Sequence, residues 1–376
     1  MSCGLWDITM DMEHLKTQFQ DATRQCTSAL VGHPTQTMAE QLQSLAQYAM
    51  KFSARDVYGS GALIRDLELR VATLFNMPDA LYLPSGTLAQ PIALKLWSEE
   101  KGSTRFAMHG TCHIELHEQQ GYKALYGLDA VLIGSIDRVP TVIDLEAIDG
   151  KIAAIVLELP MREIGGQLPS WQELVAMSDW ARSRDIAFHL DGARIWQCTA
   201  YFNRPIHDIV ALFDSVYVSL YKDVGAISGA LLLASPEFIA KATVWARRAG
   251  GNVVTAYPSL LSAHKGLDEN VGALSGASEA AQWLAAWCNQ QPNTHTVPTQ
   301  PHTTMFHLFI DVSPEVVLSR CIQWMAQHNV ALLPMVRPYA TGCKFEINLG
   351  WNIQAHERAW WVSKLENLWE LLLSPE

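Results

Sequence analysis

The chain predicts an α/β fold, with a large domain on a mostly parallel sheet and a smaller α+β domain at the C-terminal end. Three observations carry this. Continuous apolar runs rich in β-branched and aromatic residues recur at 152–159, 186–190, 215–219 and 229–234, as strands buried on both faces require. Segments with helical apolar spacing alternate with them, which is the order of βαβ units. Two of the runs deliver a polar group at their carboxyl ends, Asp191 after one and Lys222 after another. Open α/β sheets hold ligands at that edge.

At 376 residues the chain is long enough for two domains, and 49% apolar residues make it an ordinary globular sequence. A formal charge of −11 argues against nucleic-acid or acidic-membrane partners. The first residues, Met-Ser-Cys-Gly-Leu-Trp-Asp, lack the basic start and apolar run of a signal peptide, and no stretch has the length of a membrane span. The seven cysteines are scattered, odd in number and without CxxC spacing. Reduced thiols, a cytoplasmic location and no structural zinc are expected.

In chain order, residues 1–35 show no clear element. Thr37 and Glu40 form a capping box ahead of a helix over 38–50 with Met38, Leu42, Leu45 and Ala49 in phase. Residues 56–61 read as a turn-rich break. A second helix places Leu63, Leu67, Val71 and Leu74 on one face. The short run 80–83 stops at Pro84-Ser85-Gly86-Thr87, and 88–97 read as a helix. Val131–Ile133 and 152–159 are strand-like. Ser170 and Glu173 suggest another capping box, before a helix over 171–184. A helix over 277–288 and a Pro/Thr/His-rich loop over 290–303 follow. Strands are expected at 305–311 and 344–349. Ser313-Pro314 starts a helix, and 355–373 form the closing one. The domains are set at 1–35 (an N-terminal segment), 36–255 (large) and 256–376 (small).

Several residues have chemical potential. Backbone N–H groups and hydroxyls at the Ser85-Gly86-Thr87 turn suit an anion, although a plain N-cap looks the same. His109, His113 and His117 lie four apart, but Gly110-Thr111 interrupts any shared helix face and HExxH is absent, so no metal site is expected. Arg162 at the sheet edge is an anion ligand or an ion-pair partner of Glu163. Arg247-Arg248 before Gly250-Gly251 reads as a basic helix end.

Asp191 and Lys222 stand 31 positions apart. A carboxylate and an amine at one sheet edge suit pyridoxal 5'-phosphate, whose ring nitrogen needs an acid and whose aldehyde condenses with a lysine. His-Leu-Asp-Gly-Ala-Arg (189–194) and Ser-Leu-Tyr-Lys-Asp-Val-Gly-Ala (219–226) resemble the low-specificity L-threonine aldolases of the β-eliminating lyase group, fold-type I pyridoxal phosphate enzymes. Asp-Val-Tyr-Gly (56–59) and Leu-Pro-Ser-Gly-Thr (83–87) stand in the order that those enzymes have.

The resemblance implies that Ser85, Gly86 and Thr87 cradle the cofactor's phosphate, Asp191 holds its ring nitrogen, and Lys222 takes its aldehyde. His113, with Glu118 five residues on, stacks on the ring and relays protons. Ser219 joins the cofactor contacts. Arg194 grips both cofactor and substrate carboxylate, with Ser28 and Arg162 as further substrate contacts. A small amino-acid substrate and a homodimer or dimer of dimers are also implied.

The chain departs from that pattern in places. Tyr221 and Asp223 flank the lysine where serine and glycine are usual. Asn348 stands in Glu-Ile-Asn where the relatives carry Glu-Ile-Arg, with Arg337 as a substitute. The segment around Asp149-Gly150-Lys151 is short, so a histidine-bearing stretch is missing. The expected activity is retro-aldol cleavage of a threonine-like amino acid to glycine and an aldehyde. β-Elimination on another amino acid and a low-activity binding protein of this fold are the alternatives. A nicotinamide enzyme is disfavoured, because Gly59-Ser-Gly61 lacks a third glycine and a preceding strand.

Overall fold

The structure, a computed structural model, describes residues 4–34, 36–340 and 342–374, with side chains from Met12 onward. It divides into two compact units. The larger spans 36–272, and the smaller joins the described part of 1–35 to 273–376. The divide falls after Gly272 rather than after Thr255. Residues 256–272 stay with the large unit because the helix Tyr257–Glu269 is tied into it at both ends. Buried Asp56 accepts from Ala256 N and the Thr255 hydroxyl. Further on, a Cβ at Gly266 would lie 1.9 Å from the Val224 carbonyl, so only glycine permits this approach.

The large unit is built on seven strands: β1 (Asp79–Leu83), β2 (Arg105–His109), β3 (Asp129–Ile133), β4 (Ala154–Glu158), β5 (Ala187–Asp191), β6 (Ser215–Ser219) and β7 (Ala230–Ala234). They lie in the order β1-β7-β6-β5-β4-β2-β3. All neighbouring pairs are parallel except those of β7, which is antiparallel to both β1 and β6. Every residue of β4, β5, β6 and β7 is buried, which is why these runs lack polar alternation. β2 was not visible in the sequence, since Arg-Phe-Ala-Met-His is short and flanked by polar ends.

The helix Ala62–Phe75, α1, buries Leu63, Leu67 and Val71, while Leu74 is 45% exposed. Phe75 takes its place, four residues after Val71, as the helical period favours. The helix Gly86–Lys101, α2, packs its Ala89, Ile92, Ala93 and Leu96 into the core beside the sheet. The Thr37–Glu40 capping box forms. At Ser170 only half of one does. The Ser170 hydroxyl accepts from Glu173 N, but the Glu173 carboxylate accepts from Val142 N at 2.6 Å instead.

In the smaller unit, β8 (Thr294–Val297), β9 (Met305–Ile310), β10 (Arg337–Tyr339) and β11 (Gly342–Asn348) form an antiparallel sheet in the order β10-β11-β9-β8. β8 lies inside the stretch expected as loop. A 22-residue helix, Gly4–Gln25, occupies the stretch that showed no clear element. Met12, Leu15, Phe19 and Ala22 recur on its inner face and join the unit's core, which is centred on Trp324, Trp361 and Phe345. Abundant polar residues between these positions hid the period.

Candidate active site

The carboxyl ends of β4, β5 and β6 bring the chemistry together. Glu158 and Asp191 are register partners at the ends of adjacent parallel strands, and both are buried. Gln90, on the buried side of α2, donates Nε2 to Asp191 Oδ2 at 2.9 Å, and Ala193 N donates to Oδ1 at 3.1 Å. Among the described residues Asp191 makes no ion pair. Glu158 Oε1 accepts from Arg162 N at 3.0 Å, while Oε2 is buried with no partner among the described residues. Burial, then the Asp191 charge, pushes the Glu158 carboxyl up to about 8. Buried Cys112 completes a trio whose sulfur and carboxylate oxygens lie within 4.8 Å of one another. Burial and both carboxylates keep its thiol protonated.

Lys222 follows β6 in a tight loop closed by Leu220 N to Gly229 O and Gly225 N to Lys222 O. Its amine is half-buried. Burial and the Arg194 charge hold it below its ordinary value, against the pull of Asp191 and Glu158. Arg194 opens the short turn Ile195–Gln197. Asp223, next to the lysine, is 1% exposed and accepts from Gln197 Nε2 at 2.7 Å. Burial raises its carboxyl to about 6.

His113 starts the helix His113–Leu116, while His109 ends β2 and is committed to the Thr111 hydroxyl and the Ser135 carbonyl. His117 lies 2.9 Å from Glu163. His113 Nε2 lies 3.8 Å from Glu118 Oε1. Burial, with positive charge from Lys222, His117 and Arg162, holds the His113 imidazole down to about 4, so it is neutral at pH 7. Burial raises the Glu118 carboxyl to about 7, partly offset by the nearby Thr87 hydroxyl.

Thr87 belongs to the start of α2. Ser85 caps that helix, its Oγ accepting from Leu88 N. A Cβ on Gly86 would stand 2.2 Å from the Tyr217 hydroxyl, so the turn can sit against β6 only with glycine there. The Tyr217 hydroxyl is in turn flanked by the Ser219 and Tyr221 hydroxyls. Ser85 and Thr87 line a groove of about 640 Å³ together with Arg248 and Gly250-Gly251. The basic stretch of the sequence thus meets the anion turn.

The sequence profile of the beta-eliminating lyase family matches residues 28–311. The chain belongs to this family. Within it, low-specificity L-threonine aldolase 1 of Arabidopsis thaliana is 25% identical over 290 residues, covering 74% of this chain and 80% of the plant protein. The low specificity L-threonine aldolase of Escherichia coli K12 is 27% identical over 236 residues, covering 61% and 70%. A solved Listeria monocytogenes chain, provisionally assigned as an L-allo-threonine aldolase, superimposes with a TM-score of 0.89 at 31% identity. That match covers 95% of this chain and 99% of the other. An Exiguobacterium chain, provisionally assigned as an aromatic amino acid beta-eliminating lyase/threonine aldolase, gives 0.89 at 32%, covering 94% and 99%. Enzymes of this family use pyridoxal phosphate, and the fold is that of fold-type I.

The family member described here therefore gathers Asp191, Lys222, Arg194, Ser219, His113 and Ser85–Thr87 in one unit. Arg162 is also there, half-buried, its guanidinium 3.5 Å from Glu163. Ser28 lies in the smaller unit, its hydroxyl 3.1 Å from His356 Nε2. Asn348 is also in that unit and accepts the Thr304 hydroxyl, while Arg337 pairs with Glu346 at 3.1 Å. Gln90 and Glu158 were not singled out from the sequence. Gln90 lies 101 positions from the carboxylate it serves, and nothing local marks it.

Proposed function

We propose that this chain binds pyridoxal 5'-phosphate and uses it to cleave a β-hydroxy-α-amino acid of the threonine or allo-threonine type into glycine and an aldehyde. The observation that carries the reading is the convergence of Asp191, Lys222, Arg194 and His113 at one sheet edge, where their charges act on one another. The names of the relatives above point to the same chemistry.

The residues fit the cofactor. Asp191 is a buried carboxylate held by an amide and a backbone N–H and, among the described residues, matched by no cation. That is a fitting acceptor for a protonated ring nitrogen. The start of a 16-residue helix offers N–H groups and a positive dipole end to the phosphate, with Ser85, Gly86 and Thr87 as its cradle. Ser219 adds a hydroxyl, and Arg248 adds positive charge to the same groove. The depressed Lys222 amine is more readily neutral, as a nucleophile must be.

When bound, the cofactor supplies an electron sink for bonds at the substrate's α-carbon. Asp191 keeps the proton on the ring nitrogen. Arg194 grips the substrate carboxylate and so selects which α-carbon bond is aligned to break, with Arg162 as a further substrate contact. His113, neutral at working pH, accepts the β-hydroxyl proton at Nε2 as the Cα–Cβ bond opens. Glu118 stands beside that nitrogen to stabilise the charge it acquires.

A homodimer or dimer of dimers in the cytoplasm belongs to this reading. Val57, Tyr58 and Val254 form an exposed apolar patch, joined by the Tyr58 N to Val254 O hydrogen bond, that a second copy would cover. The six described cysteines are free thiols, and among the described residues no helix is long and apolar enough to cross a membrane.

The test is direct. The purified chain, supplied with pyridoxal phosphate, is given L-threonine and L-allo-threonine, and glycine and acetaldehyde are measured. Both should appear in equal amounts. Release of 2-oxobutanoate and ammonia alone, or of nothing, would sink the reading.

A further inference from the structure

We infer that Glu158 is a further cofactor-binding residue, whose protonated carboxyl donates Oε2–H to the oxygen on the pyridine ring of bound pyridoxal phosphate. This rests on the proposed binding of that cofactor with its ring nitrogen at Asp191.

Glu158 and Asp191 end adjacent parallel strands in register. They are 8% and 1% exposed. An oxygen of each lies within 4.8 Å of the other and of Cys112 Sγ. Two ionised carboxylates so close and so dry would repel strongly, so one of them keeps a proton. The hydrogen bonds show which. Asp191 takes a donor on each oxygen, Gln90 Nε2 and Ala193 N, as an ionised group does. Glu158 takes one, Arg162 N on Oε1 at 3.0 Å, and its Oε2 is buried without a partner among the described residues. Burial and the Asp191 charge raise its carboxyl, against the pull of Arg194 and Lys222. The proton on Oε2 is therefore a buried donor that lacks an acceptor, and leaving such a bond unmade is costly.

Strand order indicates the acceptor. The first turn of α2, the proposed phosphate site, lies against β6, where Gly86 meets Tyr217. Gln90, one turn on, meets Asp191 on β5. Glu158 stands on β4, the next strand in the sheet. On the pyridine ring, the phosphate arm and the ring oxygen flank opposite sides of the line from nitrogen to aldehyde carbon. With the phosphate toward β6 and the nitrogen at Asp191, the oxygen falls on the β4 side. An ionised Glu158 would repel that oxygen, whereas a protonated one offers it a hydrogen bond that strengthens when the oxygen is ionised. Cys112, the third member of the trio, offers only a weak S–H donor.

The test is fluorescence titration of the intact, cofactor-free chain with pyridoxal phosphate and with its 3-deoxy analogue, which lacks the ring oxygen. Glu158→Leu should weaken pyridoxal phosphate about tenfold or more, as loss of a charge-assisted hydrogen bond does, and leave the analogue within about twofold. Retained binding of the analogue shows that the variant is folded. Glu158→Met, closer in shape and also without a donor, should give the same selective loss and guards against a misfolded Leu variant. Glu158→Gln should stay within about threefold of the wild type for both ligands. Arg162 N holds the amide oxygen at the Oε1 position there, which turns the NH₂ donor to the place of Oε2. Unchanged affinity for pyridoxal phosphate in the Leu and Met variants, equal weakening of both ligands in both variants, or a Gln variant as weak as they are would overturn the inference. Failure of the wild type to take up pyridoxal phosphate at all would instead overturn the proposed function.

Discussion

Glu158 ends its strand directly beside Asp191, which ends the next, so two buried carboxyl groups face one sheet edge. Burial and the Asp191 charge raise Glu158 to about 8, above the ordinary 4.5. Between those two values the folded chain holds a proton that the unfolded chain has released. The resulting stability is fully present below that window and is lost as pH rises through it. Glu158→Gln should flatten the fall in Tm of the cofactor-free protein between pH 5 and 8 by roughly 2–5 °C. Identical slopes in the two proteins would show that Glu158 is not protonated in the fold.

Gln90 holds Asp191 from α2. A hydrogen bond to a charged group contributes about 1.5–3 kcal/mol, so Gln90→Leu should weaken cofactor binding about 10- to 100-fold. Fluorescence titration of the cofactor-free chain with pyridoxal phosphate measures this, and an unchanged Kd would remove Gln90 from the site.

Lys222→Ala should lower turnover by about 10³-fold or more, as loss of a covalent nucleophile does. It should also abolish the visible absorbance of lysine-bound cofactor. Retained turnover would refute the lysine's role.

His113→Phe keeps a flat ring and removes the proton acceptor. The expected result is a drop in kcat of about 10²- to 10⁴-fold with cofactor affinity nearly unchanged. A loss confined to cofactor affinity would leave His113 as a stacking group only.

Gly86→Ala sets a methyl 2.2 Å from the Tyr217 hydroxyl and 2.5 Å from its ring carbon. Overpacking of this kind costs about 1–3 kcal/mol and should appear as a lower denaturation midpoint. Tyr217→Phe should not rescue it, because the ring carbon stays in the way. Full rescue would mean that the clash is with the hydroxyl alone.

The sequence by itself determined whatever rests on local pattern. Continuous apolar runs announced β4 to β7, because a strand buried on both faces has no polar phase. Ser85, Ser170 and Ser313 marked helix starts, because a cap acts within three residues. Asp191 and Lys222 were legible because each is the polar end of such a run. The tertiary structure alone decided how distant segments meet. It set Glu158 against Asp191, brought Gln90 across 101 positions to that carboxylate, and turned Arg248 and Gly250 toward the Ser85–Thr87 turn. It also buried Asp223, which stands where the relatives usually carry glycine, and gave Gly4–Gln25 a core to pack on. The physical reason is common to all of these. A hydrophobic period or a cap is a property of neighbours along the chain, whereas the partner of a buried polar group is chosen by strand order and register.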